Sequence, residues 1–155
     1  MRVLVAGVGN VLRGDDGFGV AVAQRLQQDG LPDGVRVLDV GIGGIHLVQE
    51  LHDRYDVLIV VDAVDVGRAP GTVVTIRPSV REPDGPDDLA DMHYADPERA
   101  LMLAGALGLL PDAVWLVGAQ PEDGQTVGYG LSNAVDGAVE TAAAEVRRLL
   151  VDLEP

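Results

Sequence analysis

Two carboxylates and one imidazole, far apart in the chain, are the side chains best suited to chemistry. Asp16 lies in the glycine-rich stretch GNVLRGDDGFGV at residues 9–20, Asp62 ends the apolar run VLIVV, and His93 lies in a long polar segment. Carboxylate oxygens and an imidazole nitrogen suit a divalent transition metal that keeps open coordination positions. We therefore expect a metal site if these three side chains meet.

Apolar strands and amphipathic helices alternate along the chain and must position these residues. Strands are predicted at 2–8, 35–40, 56–64, 72–78 and 113–119. Helices are predicted at 18–28, at 45–53, from Pro97 to residue 110, and after a capping Ser132. Strands that are apolar on both faces predict an α/β fold, with a three-layer, twisted, mostly parallel five-stranded sheet and helices on both faces. We expect one domain over residues 1–155, with the fourth strand at a sheet edge.

The carboxyl ends of the strands are where binding sites form in open α/β sheets. Asp16 follows the first predicted strand and Asp62 ends the third. An acid at the end of a buried apolar run is costly unless it is paired or bound to a ligand, so Asp62 carries the clearest signal. His93 would join both acids if the loop after the fourth strand folds back over the sheet edge.

Each of these residues also has a structural interpretation. Asp16 is equally compatible with a cap on the helix that begins near Gly17. Asp62 could accept hydrogen bonds from backbone N–H groups of a neighbouring loop. His93 could be a surface residue, and Asp15 is expected to face water or cap a helix rather than bind anything.

Composition excludes several classes of function. The chain has 25 acidic and 11 basic residues, for a formal net charge of −14, which disfavours nucleic acid and anionic membranes as partners. A cation or a basic peptide fits better, and a solvated acidic surface is the structural alternative. Because Cys and Lys are absent, thiol catalysis, a Walker-type phosphate loop and a Schiff-base lysine are excluded. Without a secretory or membrane segment, we expect a cytoplasmic protein.

A series of motifs runs in order along almost the whole chain: GVGNVLRGDDGFGV, DVGIGG, VVDAVDVGRAPG, a late His, GLLPDAVWLVGAQPED and GLS. This series resembles that of the [NiFe]-hydrogenase maturation proteases, and the pairing of GN…DDGxG with VDAVDxGxxPG is specific. These endopeptidases remove a C-terminal extension from the hydrogenase large subunit. The resemblance implies a twisted sheet between helices and the large-subunit precursor as the protein partner, with this chain a monomer or weak oligomer.

The resemblance also implies roles for individual residues. The metal-binding positions of the family fall on Asp16, Asp62 and His93, with Asp16 and Asp62 as candidate catalytic acids. Many members have Glu at the first of these positions, and the sequence DMHY around His93 also departs from the family pattern. The candidates for substrate binding are Asn10, Asp39 and Gly43.

The implied cofactor is nickel that arrives bound to the substrate and is not tightly retained by the protease. Carboxylate and imidazole ligands without sulfur can share a metal without keeping it. Without a Cys, Lys or suitably placed Ser nucleophile, attack by water is the simplest chemistry. The metal could activate this water or the scissile carbonyl, or it could serve only to position the substrate.

Two other functions compete with this reading. The same scaffold could be a non-catalytic nickel metallochaperone or sensor, which would bind nickel without shortening a precursor. A nucleotide-binding domain is disfavoured, because Leu12 occupies the third glycine position of the Gly7-Val8-Gly9 pattern.

Overall fold

The computed structural model describes residues 1–89, 97–122 and 128–153. Five strands lie within these ranges: β1 (Val3–Val8), β2 (Val35–Gly41), β3 (Val57–Ala63), β4 (Val73–Ile76) and β5 (Ala113–Ala119). The helices there are α1 (Phe18–Asp29), α2 (Gly44–Leu51), α3 (Pro97–Ala106) and α4 (Asn133–Leu153). Short 3-10 turns cover Gly14–Gly17 and Pro86–Leu89. None of the helices in the described ranges is both long and apolar enough to cross a membrane.

The strands form one sheet in the order β2-β1-β3-β5-β4. The pairs β1·β2, β1·β3 and β3·β5 are parallel, whereas β4 runs antiparallel to β5 at the edge. This architecture confirms the predicted mostly parallel five-stranded α/β fold and the edge position of the fourth strand. Because β1, β3 and β5 are parallel, the loops that follow them meet at one edge, which we call the carboxyl edge.

Two hydrophobic layers cover the sheet, one on each face. Val5, Ile59 and Val61 pack against α1 and α4, whereas Leu4 and Leu58 pack against α2 and α3. A fully buried Val, Leu or Ile side chain contributes roughly 1.5–3 kcal/mol, which explains why β1 and β3 lack the polar alternation of a one-sided sheet. The odd residues of β3 therefore face α1 and α4, and the even ones face α2 and α3.

The structure shortens one predicted helix and confirms two predicted helix starts. The third helix ends at Ala106 rather than at residue 110, because Gly108 turns the chain with φ +66° and Leu109 N–H donates to Ala104 O at 2.9 Å. Pro97 is the first residue of α3, as predicted. The predicted cap on the last helix is confirmed, since Val135 N–H donates to Ser132 Oγ at 3.4 Å.

Glycines let the segment after β1 approach the sheet closely. A Cβ atom on Gly19 would lie 2.1 Å from Val61 O, and one on Gly9 would lie 1.8 Å from Asp16 O. Gly9 also has φ +141°, which disfavours any side chain there. Because Gly9 and Gly19 have no side chains, the 3-10 turn that carries Asp15 and Asp16 can pack closely against the carboxyl edge.

Candidate functional site at the carboxyl edge

Asp15 is buried and hydrogen-bonded, so the expectation that it faces water or caps a helix is wrong. Its side chain is 2% exposed. Oδ1 accepts from Ser132 N–H at 2.7 Å, and Oδ2 accepts from Ser132 Oγ–H and from Glu122 N–H, both at 2.9 Å. Hydrogen bonds to an ionised carboxylate are stronger than neutral ones, and three of them compensate its burial. Asp15 therefore ties the turn after β1 to the segment after β5 and to the start of α4.

Asp16, the next residue, closes the loop after β1. Its Oδ2 accepts from Asn10 N–H at 3.0 Å, and its side chain is half-buried. The proposed cap on α1 is not formed, because Gly17 occupies the N-cap position and no side chain accepts a capping hydrogen bond there. Asn10 Oδ1 in turn accepts from Leu12 N–H at 2.9 Å, which makes the predicted substrate-binding Asn10 a turn-forming residue in this structure.

Asp62 lies at the end of β3, as predicted, and is 6% exposed. As an even-numbered residue of β3 it faces the side of α2 and α3. It lines a cleft of about 380 Å³ together with Ser79 and Glu98. The other residues of this cleft are apolar or Pro: Val60, Val64, Pro78, Val80, Pro97, Leu101 and Leu116. The cleft therefore presents few polar groups, of which Asp62 is one, in mainly apolar surroundings.

Gln120 organises the loop after β3, a role that its position after the fifth strand did not reveal. Its side chain is 7% exposed, and its Oε1 accepts from Val66 N–H at 2.8 Å and from Arg68 N–H at 3.2 Å. Its Nε2 donates to Asp65 Oδ1 at 3.1 Å. The pKa of Asp65 is lowered from its ordinary value, mainly by this hydrogen bond and to a smaller extent by one from Gly67 N–H. The signal that the sequence offered for this role was a Gln placed directly after a predicted apolar strand.

The remaining predicted site residues lie on or beside the same edge. Asp39 is exposed in β2, in register with Gly7 of β1. Gly43 precedes α2, and a Cβ atom there would lie 2.9 Å from Nδ1 of His46, so a side chain would displace this imidazole. A backbone hydrogen bond of 3.0 Å from Gly9 N–H to Gly41 O joins the ends of β1 and β2.

His93 falls outside the described residues, so its meeting with Asp16 and Asp62 stays a prediction. Within residues 1–89, 97–122 and 128–153, no group of three His, Cys, Asp or Glu side chains is arranged to hold a metal ion. The described donors are the oxygens of Asp16, in the 3-10 turn that follows β1, and of Asp62, near the end of the neighbouring β3. Their chemistry fits a divalent cation that another molecule helps to coordinate.

Comparisons with known proteins agree on one family. A family model described as hydrogenase maturation protease matches residues 20–149. The hydrogenase expression/formation protein HupD of Rhodobacter capsulatus is 38% identical over 154 residues, which cover 96% of this chain and 71% of that protein. The corresponding protein HoxM of Azotobacter vinelandii is 38% identical over 142 residues, covering 91% and 68%.

Solved structures give the same result. The hydrogenase maturating endopeptidase HybD from E. coli superposes with a TM-score of 0.79 at 32% identity, over 98% of this chain and 93% of that one. A hydrogenase 2 maturation peptidase from a Thaumarchaeota archaeon has a TM-score of 0.73 at 35% identity, over 97% and 98%.

Proposed function

This chain belongs to the hydrogenase maturation proteases, and from that membership we propose that it removes the C-terminal extension of a [NiFe]-hydrogenase large-subunit precursor. An endopeptidase role in hydrogenase maturation follows from the family itself. The observation that carries the more specific proposal is the placement of the buried Asp62 in an apolar cleft at the carboxyl edge. A concave, mainly apolar cleft with few polar groups is the usual form of a substrate site. Its size suits a short stretch of polypeptide.

We propose that Asp16, Asp62 and His93 recognise nickel that the substrate brings to the protease. Support comes from the path of the chain, since Pro97 at the start of α3 lines the same cleft as Asp62. His93 is four residues before Pro97, and four extended residues span at most about 14 Å, so the tether is short enough. Nickel bound in this way would supply a positive charge that is present only after metal insertion, which would make cleavage conditional on that insertion.

The chain itself offers carboxylates rather than a covalent nucleophile for the cut. The sequence has no Cys or Lys, the hydroxyl of Ser132 already donates to Asp15, and Ser79, which lines the cleft, does not lie in a nucleophile-elbow sequence. We therefore propose that water attacks the scissile carbonyl carbon and that an oxygen of Asp62 or Asp16 not bound to the metal accepts its proton. The same acid would return this proton to the departing amine as the C–N bond breaks. Asp62 is the better placed of the two, because it lines the cleft in which a substrate would lie.

The proposal is tested with a purified precursor in nickel-loaded and nickel-free forms. Mass spectrometry should show shortening of the loaded form alone. Asp62→Asn, which keeps the size of the side chain, should abolish shortening. Asp152→Asn, at an exposed ion pair with Arg148 on α4, is the matched control and should cleave like the unmodified protein.

Two results would contradict this function. Cleavage of both forms at equal rates would remove the role of nickel, while leaving the protease role intact. Nickel binding without shortening of either form would instead favour the metallochaperone or sensor. The cytoplasmic location and weak or absent self-association stay predictions.

A further inference from the structure

Four large apolar side chains are exposed on loops at the carboxyl edge. Val11 and Leu12 follow β1, Ile42 follows β2, and Tyr129 precedes α4, with exposed fractions between 41% and 81%. Single exposed apolar side chains are ordinary, whereas a continuous set at one edge marks an interaction surface. We call these four residues the apolar strip.

Backbone hydrogen bonds bring the loops that carry the apolar strip together. Gly9 N–H donates to Gly41 O at 3.0 Å, which places Ile42 beside the loop after β1. Gly128 N–H donates to Leu12 O at 2.8 Å, and Gly14 N–H donates to Gly128 O at 2.9 Å. Tyr129 therefore directly follows a residue that is paired with the loop carrying Leu12. Ile42, Leu12 and Tyr129 are thus linked through neighbouring backbone groups.

Tyr129 lies between two glycines that have positive φ values. Gly128 and Gly130 on either side have φ values of +147° and +96°, a region that L side chains disfavour. The pairing of Gly128 with Arg13 fixes this segment at one end. Tyr129 itself is 81% exposed, and a Tyr with its large apolar ring is typical of the residues that anchor an interface.

The charges beside the apolar strip indicate what it binds. The exposed acids Asp39 and Asp65 and the half-buried Asp16 lie at the same edge, whereas Arg13 and Arg68 are the cationic side chains in the described loops there. The chain as a whole carries a net charge of −14. An apolar partner segment flanked by basic residues therefore complements this edge in both hydrophobicity and charge.

We propose that the apolar strip is the docking surface for the protein substrate and that it binds an apolar, basic-flanked segment of that substrate outside the scissile bond. This inference rests on the proposed function and extends it from the cleft at Asp62 to the neighbouring strip. The apolar strip lies on the same edge as the cleft at Asp62, which a polypeptide must reach to be cut.

The test compares a strip variant with a matched control variant. The strip variant is Leu12→Ser, Ile42→Ser, Tyr129→Ser. The control is Leu107→Ser, Val151→Ser, which removes two apolar side chains that are 54% and 70% exposed on the turn after α3 and on α4. Because truncating an anchor at an interface typically costs more than 1 kcal/mol, the strip variant should bind the nickel-loaded precursor at least about tenfold more weakly. The KM for cleavage should rise with it, while kcat at saturating precursor stays within about twofold, since the acids are unchanged.

The outcomes separate this inference from the proposed function. Equal binding by the strip variant, the control and the unmodified protein would overturn the docking surface even if cleavage is normal. Conversely, weaker binding by the strip variant alone would support it even if the unmodified protein cleaved nothing, a result that would contradict only the proposed function. Binding that does not weaken as salt increases would contradict the basic flanks. A dimer of the unmodified protein that the strip variant dissociates would assign the strip to self-association instead.

Discussion

Asp15 and Ser132 are 117 residues apart in sequence and are joined by two hydrogen bonds, from the backbone N–H and from the hydroxyl of Ser132 to the carboxylate of Asp15. They connect the first loop of the protein to its last helix. Because the carboxylate is buried, the pair stabilises the contact between the turn after β1 and the start of α4. Asp16, the neighbour of Asp15 in sequence, depends on this arrangement for its position.

Asp15→Ala is expected to destabilise the protein by about 1–3 kcal/mol, because it removes three hydrogen bonds that a buried carboxylate accepts. Ser132→Ala removes only the hydroxyl bonds and is expected to cost about 1 kcal/mol. Denaturant unfolding of both single variants and the double variant measures the coupling. A double variant whose loss equals the sum of the two single losses would show that the residues do not interact.

Asp62→Ala and His93→Ala are expected to abolish processing of the nickel-loaded precursor while leaving the fold intact. Asp62 is the second-to-last residue of β3, a strand whose stability comes from the apolar residues before it. Cleavage assays and circular dichroism of the same preparations measure the two effects separately. An unfolded Asp62→Ala protein would favour a structural role for this acid.

Asp16→Glu is expected to retain more activity than Asp16→Ala, because it keeps the charge and can still accept the hydrogen bond from Asn10 N–H. The extra methylene displaces the carboxylate, so activity below that of the unmodified protein is expected. Initial cleavage rates under identical precursor concentrations give the comparison. Equal losses in the two variants would instead mean that the site requires strict geometry.

Ser79→Ala is expected to cleave the precursor at the unmodified rate, even though Ser79 lines the cleft with Asp62. If water is the nucleophile, no step needs this hydroxyl. Loss of cleavage with unchanged precursor binding would identify Ser79 as a nucleophile and would overturn the proposed attack by water.

Gln120→Leu is expected to raise the pKa of Asp65 towards its ordinary value, because the largest cause of the lowered pKa is the hydrogen bond from Gln120. A lowered pKa in the folded protein stabilises it above the unfolded-state pKa of the group, and this contribution is lost as the pH falls through the folded-state pKa. The variant should therefore lose part of the stability that Asp65 contributes above its unfolded-state pKa. NMR titration of the Asp65 side chain provides the measurement, and an unchanged pKa would contradict the assigned cause.

The sheet and the position of Asp62 were predictable because both depend on local sequence. Apolar runs such as VLIVV indicate buried strands, and an acid that ends such a run must lie at a strand end. Asp15 was not predictable in this way. Its donors come from Glu122 and Ser132, and nothing in the DDG loop shows which of two adjacent acids is buried.

Gln120 shows the same limit, since its partners Val66 and Arg68 lie on a different loop. The early end of α3 has a local cause in Gly108, which apolar periodicity through residue 110 concealed. The sequence patterns thus failed mainly at hydrogen bonds between distant residues and at single residues where the backbone reverses.

The near contact between Gly9 and the backbone of Asp16 has a consequence for how this protein tolerates variation. Even the smallest side chain at position 9 would collide with the backbone carbonyl of Asp16 and would need a φ that side chains disfavour, so a substitution there would strain the turn that holds the Asp16 carboxylate. Gly9 has no side chain of its own, yet its close contact with the backbone of Asp16 helps to determine where the Asp16 carboxylate lies.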